Sequence, residues 1–296
     1  MADFQGIIVI HKEKGFTSHD VVAKLRGILH MKKIGHTGTL DPDATGVLPV
    51  ALGKGTKLVD LLTDKEKTYE AVLHLGIDTD TQDMSGTVLE EKPVNVTEDE
   101  VRKVLKSFVG EQLQIPPMYS ALKVNGKKLY ELAREGKTVE RKARPVCFYE
   151  IEPLEFHLPL VKIRVTCSKG TYIRTLCHDI GEKLGCGGCM EELLRSRVGR
   201  YSLFESHTLA QVEAAVADGT VQDMIDPVEA VLAEYPALYA DSYGDRLLAN
   251  GNPLSDNLVR PQHKEGWVRM YASDGTFTGI FQWDAGKKKY YPVKMF

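Results

Sequence analysis

The sequence predicts an α+β fold with a small β-rich module at its C-terminal end. Short apolar or alternating segments, typical of strands, occur at residues 6–10, 71–75 and 149–167. Between them lie helix-length stretches whose apolar residues recur every three or four positions behind a capping residue. After Tyr235-Pro236 the pattern changes to alternating strands around Asp274-Gly275, a hairpin signal. These observations predict a larger α+β unit followed by a smaller β unit.

The first two helices each have a start signal in the sequence. Thr17-Ser18 supplies caps for a helix with one apolar stripe, formed by Val21, Val22, Leu25, Ile28 and Leu29. Thr97 and Glu100 form the capping-box pattern of a second helix. Both helices have an apolar face to bury, so we expect them to pack against the predicted strands.

The later helices are bounded by equally local signals. Thr171 is the predicted cap of a helix that ends at Gly185, since glycine commonly stops a helix. Asp226-Pro227 predicts another start, with the aspartate as cap and the proline in the first turn. A last strand is predicted over residues 290–296.

Charge is sorted along the chain although the net charge is only −3. Residues 123–144 carry eight Lys or Arg against three Glu, and residues 195–200 carry three Arg and no acid. Residues 201–235 carry seven Asp or Glu and no Lys or Arg. This sorting fits a basic face for a polyanion on an acidic protein. Separate solvated faces explain it equally well on composition alone.

Composition and motif spacing also bear on the cellular compartment of the protein and on its need for a cofactor or a metal. The first residues lack a secretory signal, and no apolar run approaches the roughly 20 residues of a membrane span. The five cysteines are an odd count that suits reduced thiols, and Cys186-x-x-Cys189 has no second pair to complete a zinc site. The glycines of the sequence do not match the spacing of the phosphate-binding P-loop or of the dinucleotide-binding motif. We expect a cytoplasmic protein with no cofactor and no metal.

The segment Gly35–Pro42 places one carboxylate, Asp41, in a loop of glycines and threonines with His36 upstream. An aspartate before proline is a common turn initiator, so local chemistry alone favours a turn role for Asp41 over a catalytic one. His36 alone is similarly more typical of a structural histidine. If the loop is catalytic, the carboxylate itself must do the chemistry, because no cofactor motif surrounds it.

A wider resemblance changes that balance. The run Gly35-His36-Thr37-Gly38-Thr39-Leu40-Asp41-Pro42 resembles the catalytic motif of bacterial tRNA pseudouridine-55 synthases. Further segments resemble the family in order from about residue 6 to residue 200. They are Lys12-x-x-Gly15-x-Thr17-Ser18, Lys67-Thr68-Tyr69, Gly76-x-x-Thr79-Asp80-Thr81-x-Asp83, Pro116-Pro117-Met118-Tyr119-Ser120, Ser168-x-Gly170-Thr171-Tyr172-Ile173-Arg174 and, in part, Leu193-Leu194-Arg195. The first of these segments departs from the family at Glu13, where proline is usual.

The resemblance implies a reaction and a fold. Uracil would be detached from its ribose, rotated and rejoined through carbon 5, with the ionised carboxylate of Asp41 as nucleophile. Two atoms are candidate targets of its attack, the ribose C1′ and the base C6. The implied architecture is the pseudouridine-synthase fold, a mixed, largely antiparallel sheet flanked by helices, followed by a PUA-like domain. We expect a catalytic domain over residues 1–235 and the PUA-like domain over 236–296.

The family motifs also imply roles for individual residues. Arg174 should pair with Asp41 and keep it ionised. Tyr69 resembles the tyrosine that stacks on the target base near the C5 proton. The remaining implied contacts are to the substrate pocket or the RNA: His36 as a wedge beside the extruded nucleotide, Tyr172 and Leu193 as pocket residues, and Lys12, Lys123 and Arg195 as RNA-binding residues, with Arg197 and Arg200 as further phosphate contacts.

The expected partner is the TΨC stem-loop of tRNA, and the target uridine must be flipped out of it at a cost of a few kcal/mol. A thumb-like insertion over about residues 117–145 would cover the RNA, and we expect residues 123–144 to be mobile without it. The chain is expected to act as a monomer with no obligatory protein partner. Three alternatives stay open: action within a guide-RNA complex, a non-catalytic RNA-binding or RNA-folding module, and a glycosylase that releases free uracil.

Overall fold

The computed structural model describes residues 3–124 and 126–296; Met1, Ala2 and Asn125 lie outside the described residues, so the predicted thumb and the start of the chain are followed only in part. Its first elements are β1 (Gly6–Lys12), α1 (Ser18–Ile28), β2 (Ile34–His36), β3 (Thr45–Leu52), α2 (Val59–Thr63), β4 (Lys67–Leu75), β5 (Ile77–Thr79) and β6 (Val88–Glu91). The middle of the chain forms α3 (Glu98–Phe108), β7 (Gly110–Gln114), β8 (Lys123–Val124), β9 (Lys127–Lys128), α4 (Leu129–Arg134), β10 (Arg144–His157), β11 (Leu160–Cys167), α5 (Ile173–Leu184), β12 (Gly188–Val198) and β13 (Tyr201–Ser202).

The remaining elements are α6 (Leu209–Ala217), β14 (Ile225–Asp226), α7 (Val228–Val231), β15 (Ala237–Ala240), α8 (Ser242–Ala249), β16 (Leu254–Ser255), β17 (Val259–Arg260), β18 (Trp267–Tyr271), β19 (Phe277–Asp284) and β20 (Lys289–Met295). The hairpin predicted around Asp274-Gly275 is confirmed as β18 and β19. Among the described residues, no helix is long and apolar enough to span a membrane.

The larger sheet has ten strands, with the main order β14-β1-β3-β12-β4-β11-β10-β7; β2 pairs with β3, and β13 with β12. Its neighbours pair antiparallel except β12 and β3, which run parallel at Leu194↔Thr45 and Arg195↔Gly46. The prediction of a mixed, largely antiparallel sheet flanked by helices is therefore confirmed. The parallel pair matters most for function, because it places the middle of β12 beside the start of β3.

Helix caps follow the sequence signals, with two corrections. Thr17 and Thr97 cap α1 and α3 as predicted, each within a capping box, and Gly185 ends α5 in the left-handed conformation at φ 78°. Thr171 does not cap α5: its hydroxyl donates to the Ser168 carbonyl, and Tyr172 is the capping residue. Likewise Pro227, not Asp226, is the cap of α7.

Two apolar clusters attach helices to the larger sheet. Val101 and Leu105 of α3 and Leu176 and Ile180 of α5 pack against the strands β4, β10 and β11. The buried stripe of α1 instead packs with α6 against β1 and β3. Each fully buried aliphatic side chain in these clusters is worth about 1.5–3 kcal/mol relative to exposure. The helices thereby hold the sheet that carries the candidate site residues.

The last part of the chain forms a second sheet of six strands, in the order β16-β20-β19-β18-β15-β17, with its own apolar cluster that includes Leu238 and Phe281. Ile280 of this sheet is buried instead in a third cluster with Ile7 and Val47 of the larger sheet. A separate C-terminal β-rich unit is thus confirmed, and it packs against the face of β1 and β3 that carries Ile7 and Val47.

The predicted thumb contains short regular elements. β8 and β9 form a hairpin, and α4 follows directly with Leu129 buried at 1% exposure. The guanidinium of Arg141 donates to the Pro116 carbonyl at 3.0 Å. The expectation of few apolar anchors therefore holds except at Leu129. Whether the segment moves in the absence of RNA stays a prediction.

Candidate active site

The loop Thr37–Ala44 joins β2 to β3 and is held from below by the N-terminal elements. The Lys12 ammonium, fully buried at the end of β1, donates to the Pro42 carbonyl at 3.0 Å and to the Phe16 carbonyl at 2.6 Å. Ser18 Oγ accepts from the Leu40 backbone N–H at 2.9 Å. Burial lowers the pKa of Lys12 to about 8. The expectation that Lys12 binds RNA does not fit this burial, since its side chain is used to shape the loop.

Asp41 and Arg174 face each other across the site. Arg174 Nε lies 3.1 Å from Asp41 Oδ2, and its Nη2 lies 3.4 Å from Asp41 Oδ1, a two-point contact between guanidinium and carboxylate. The predicted pairing is therefore present. The arginine comes from the first turn of α5, 133 residues away along the chain.

Arg174 is immobilised on its other sides. Its guanidinium also donates to the carbonyls of Thr81 at 3.1 Å and Tyr119 at 2.8 Å, and it lies 3.4 Å from Asp83 Oδ2. Only 6% of the side chain is exposed, whereas 41% of the Asp41 side chain is open. A fixed, buried cation thus holds a carboxylate that is partly open to solvent.

The environment of Asp41 disfavours its negative charge overall. Desolvation by burial raises the pKa of Asp41, with smaller contributions in the same direction from Asp83 and Asp43. Arg174 and Lys12 oppose this by stabilising the anion. Arg174 therefore does favour ionisation as predicted, but the net pKa lies above the ordinary value of an aspartate. A carboxylate that is poorly solvated in this way is a better nucleophile than a fully hydrated one.

Tyr69 and Leu193 line the site from neighbouring strands. Tyr69, in β4, is buried and lies opposite Arg195 of β12 in the sheet register, two positions from the pair Ala71↔Leu193. Burial raises the pKa of Tyr69 to about 12, so the phenol is protonated at neutral pH. Leu193 is partly buried and packs on the same cluster as Tyr69.

Tyr172 is fixed by a residue that the sequence reasoning missed. Its backbone N–H donates to Gln114 Oε1 at 2.8 Å, and Gln114 Nε2 donates back to the Tyr172 carbonyl at 3.0 Å. Gln114 ends β7 and is buried. A buried glutamine with both amide atoms bonded fixes the start of α5, and through it the position of Arg174. The only sequence signal was its place two residues before the Pro116-Pro117 motif.

Arg195 is not on the surface, and the prediction that it contacts phosphate is wrong for this structure. The residue is 1% exposed, and its guanidinium donates to the carbonyls of Val47 at 2.8 Å, Gly38 at 3.3 Å and Thr39 at 3.5 Å. The parallel pairing of β12 with β3 brings it there. Arg195 therefore supports the Asp41 loop from beneath.

His36 lies at the end of β2, at the mouth of the loop. Its ring meets that of His19 edge-on, with centroids 5.2 Å apart, and its buried Nδ1 has no hydrogen-bond partner within the described residues. Burial lowers the pKa of His36, and His19 and Arg195 add to the effect, so the ring is neutral at physiological pH. Lys123, by contrast, is exposed in the hairpin of the thumb.

The cysteines are free, and no cluster of His, Cys, Asp and Glu with metal-site geometry occurs in residues 3–124 and 126–296. Four of the five cysteines are buried, and burial raises the pKa of the Cys189 thiol to about 12. Cys167, Cys177 and Cys186 are packing residues of the apolar cluster between the larger sheet and α5.

Comparison with known proteins identifies the family. Residues 26–173 match a family model described as TruB family pseudouridylate synthase (N terminal domain), and residues 174–233 match one described as tRNA pseudouridylate synthase B C-terminal domain. The chain belongs to the TruB family of pseudouridylate synthases. It is therefore an isomerase, and the family resemblance noted in the sequence is confirmed.

The similarity spans nearly the whole chain. It is 53% identical over 304 residues to tRNA pseudouridine synthase B of Lachnoclostridium phytofermentans, covering 98% of this chain and 99% of the relative. The protein of the same name from Clostridium novyi is 46% identical over 93% of this chain and 94% of its own length.

Solved structures of family members share the fold. A Cbf5-Nop10-Gar1 complex contains a chain with a TM-score of 0.74 and 29% identity, and an H/ACA RNP bound to a substrate RNA containing 2′-deoxyuridine contains one with 0.73 and 28%. Each match covers 98% of this chain and 84% of the other.

Proposed function

We propose that this protein converts uridine 55 in the TΨC loop of tRNA to pseudouridine, with Asp41 as nucleophile. The observation that carries the proposal is the Asp41–Arg174 pair, with contacts of 3.1 and 3.4 Å and an Asp41 side chain that is 41% exposed. The relatives named tRNA pseudouridine synthase B support tRNA as the substrate.

The reaction balances without a redox partner. The bond between C1′ and N1 of the uridine breaks and a bond between C1′ and C5 forms, while the C5 proton leaves and N1 gains a proton. Asp41 forms a transient covalent bond to C1′ or to C6 during this exchange. Tyr69 packs against the base beside the departing C5 proton, and the raised pKa of its phenol fits a stacking and hydrogen-bonding role at neutral pH.

Access to the reacting atoms requires base flipping. A stacked uridine hides C1′ and C6, so it must be extruded into the active site at a cost of a few kcal/mol. His36, neutral and at the mouth of the loop, fills the space that the base leaves, and Tyr172 and Leu193 form the pocket walls. Lys123 and the other cations of residues 117–145 contact phosphates from the thumb.

The division into a catalytic domain over residues 1–235 and a PUA-like RNA-binding domain over 236–296 belongs to the same proposal. It is supported by the start of the second sheet at Ala237 and by the separate cluster of that sheet. We propose that the chain acts as a monomer on bare tRNA. Since two of the solved relatives come from H/ACA ribonucleoproteins, action within a guide-RNA complex is the second candidate.

The direct test is isomerisation of a minimal TΨC stem-loop transcript, measured as the release of tritium from uridine labelled at C5. We expect release from the transcript with the target uridine and none when cytidine replaces that uridine. Chromatography of the products separates the alternatives: free uracil would indicate a glycosylase, and activity only after addition of a guide RNA and protein partners would indicate the second candidate. A bound but unchanged transcript under all conditions would contradict the proposal.

A further inference from the structure

The surface formed by α1 and the segment that leads into β2 has the His19–His36 contact at one end and an exposed basic depression at the other. The His19 ring contacts the His36 ring at the active-site end. Arg26 lies on the same face of α1 as His19, since residues seven positions apart align along a helix, and His30 follows just beyond the end of α1 at Ile28. Arg26 Nη2 donates to the Ile34 carbonyl of β2 at 3.4 Å. The depression at the far end is lined by Arg26, Gly27, His30, Met31 and Lys32.

The cations of this surface carry uncompensated charge. Arg26, Lys32 and Lys33 are exposed, and none forms an ion pair with a carboxylate in the described part of the chain. Their backbone is firmly placed, because the Lys33 carbonyl accepts from the Gly53 N–H at 2.9 Å. The charge is therefore displayed from a rigid surface.

Several of the cations that the sequence singled out are compensated by comparison. Arg197 pairs with Glu66 at 2.8 Å, and Arg200 lies 3.7 Å from Asp226. In the thumb, Lys127 and Lys137 share Glu135. A cation next to a carboxylate attracts a phosphate less, because the two protein charges largely cancel at the distance of the RNA.

We propose that Arg26, Lys32 and Lys33 form a second phosphate-binding surface, the α1–β2 track, for the RNA backbone that leads to the active site. The inference rests on the proposed RNA substrate and assigns a contact surface outside the thumb. The stretch of α1 from His19 to Ile28 covers about 14 Å, enough for more than one backbone phosphate. The track meets the catalytic loop at His36, so it binds RNA directly beside the extruded nucleotide.

The test compares the salt dependence of binding of a TΨC stem-loop transcript to full-length proteins. All of them carry Asp41→Asn, so that the RNA stays unmodified during the titration. The neutral variant Arg26→Gln/Lys32→Gln is compared with the charge-preserving variant Arg26→Lys/Lys32→Arg. The matched control is Lys92→Gln/Arg102→Gln, which removes one lysine and one arginine that are already paired with Glu90 and Glu98.

We expect the plot of log affinity against log salt to become shallower by about one for each track cation removed, hence by about two in the neutral variant. The charge-preserving variant and the control should keep the slope of the parent. With Asp41 restored, the neutral variant should retain its single-turnover rate at saturating RNA within about twofold, because the track lies outside the chemistry.

An unchanged slope in the neutral variant overturns the track, and so does an equal loss in the charge-preserving variant, since packing would then be responsible. A reduced rate at saturating RNA with an unchanged slope also contradicts it. The proposed function is judged separately: if the unsubstituted protein binds the transcript but leaves its uridine unchanged, the proposed function fails while the slopes still decide the track.

Discussion

At the scale of single residues, the site works by opposing effects on one carboxylate. Desolvation raises the pKa of Asp41, while Arg174 holds the carboxylate at two points and favours its anion. Arg174 can do so because two backbone carbonyls and Asp83 fix its guanidinium independently of Asp41. The pairing of Asp41 with Arg174 could be predicted from the motifs. The net direction of the pKa shift of Asp41 could not, because desolvation depends on the folded surroundings of the loop.

The pH dependence of the reaction should report this balance. Only ionised Asp41 is a nucleophile, so the single-turnover rate should fall as the pH drops through its raised pKa, above the value near 4 of an ordinary aspartate. In Arg174→Gln, which loses the main group that lowers the pKa, this acidic limb should move to higher pH. Arg102→Gln on α3 is the control and should leave the profile unchanged. An unshifted limb in Arg174→Gln would contradict the assignment.

The same balance predicts an effect on stability. The pKa of Asp41 is higher in the folded than in the unfolded state. Ionisation of Asp41 therefore lowers the free energy of unfolding, and this loss is complete at pH values above the pKa of the folded state. The loss vanishes at pH values below the pKa of the unfolded state, which is near 4. Asp41→Asn should therefore raise the free energy of unfolding at pH 7, while Arg174 keeps its other partners. Urea unfolding at pH 7 and pH 4 checks this: a gain that is equal at both pH values would refute the electrostatic origin.

At the scale of elements, the catalytic loop depends on a contact between distant strands. The family motifs predict Lys12 and Arg195 as RNA-binding residues, yet both are buried beneath the loop. Which way Arg195 points is decided by the pairing of β12 with β3, which joins residues about 150 positions apart. Caps and hairpins, which rest on neighbouring residues, could be predicted; this orientation could not.

Replacing Arg195 should therefore impair chemistry more than RNA binding. Arg195→Met leaves the carbonyls of Gly38, Thr39 and Val47 without their donor, which should lower the free energy of unfolding by about 1–3 kcal/mol. The single-turnover rate should fall by about tenfold or more as the loop loosens, with RNA affinity nearly unchanged. Arg164→Met, in the same sheet but half-exposed and paired with Glu70, is the control. Weakened RNA binding with a normal rate would restore the phosphate-contact interpretation.

The thumb should gain order on binding. Leu129 is its buried anchor, whereas residues 135–138 are exposed, so amides beyond α4 should exchange rapidly in the free protein. Hydrogen exchange followed by mass spectrometry, with and without the stem-loop, measures this. Protection in residues 135–143 should rise on RNA binding, while α3, on the far side of β10, serves as the internal reference. Equal protection in the two states would contradict the predicted mobility.

At the scale of the whole molecule, sorted charge resolves the apparent conflict between a net charge of −3 and an RNA substrate. The acidic run 201–235 forms α6, β14 and α7 at the β14 edge of the sheet, while free cations lie along α1 and β2. Composition predicted that a basic face was feasible. Its location required the fold, because only the structure distinguishes free cations from paired and buried ones.

The central claim is that Asp41 performs the chemistry, and one comparison tests it most directly. Asp41→Asn and Asp43→Asn each remove one carboxylate from the same loop, but only Asp41 contacts Arg174. With a TΨC stem-loop transcript, we predict that Asp41→Asn lowers the single-turnover isomerisation rate by more than about 10³-fold and changes RNA affinity by less than about threefold, while Asp43→Asn stays near the unsubstituted rate. Substantial turnover by Asp41→Asn, or an equal loss in Asp43→Asn, would contradict the account.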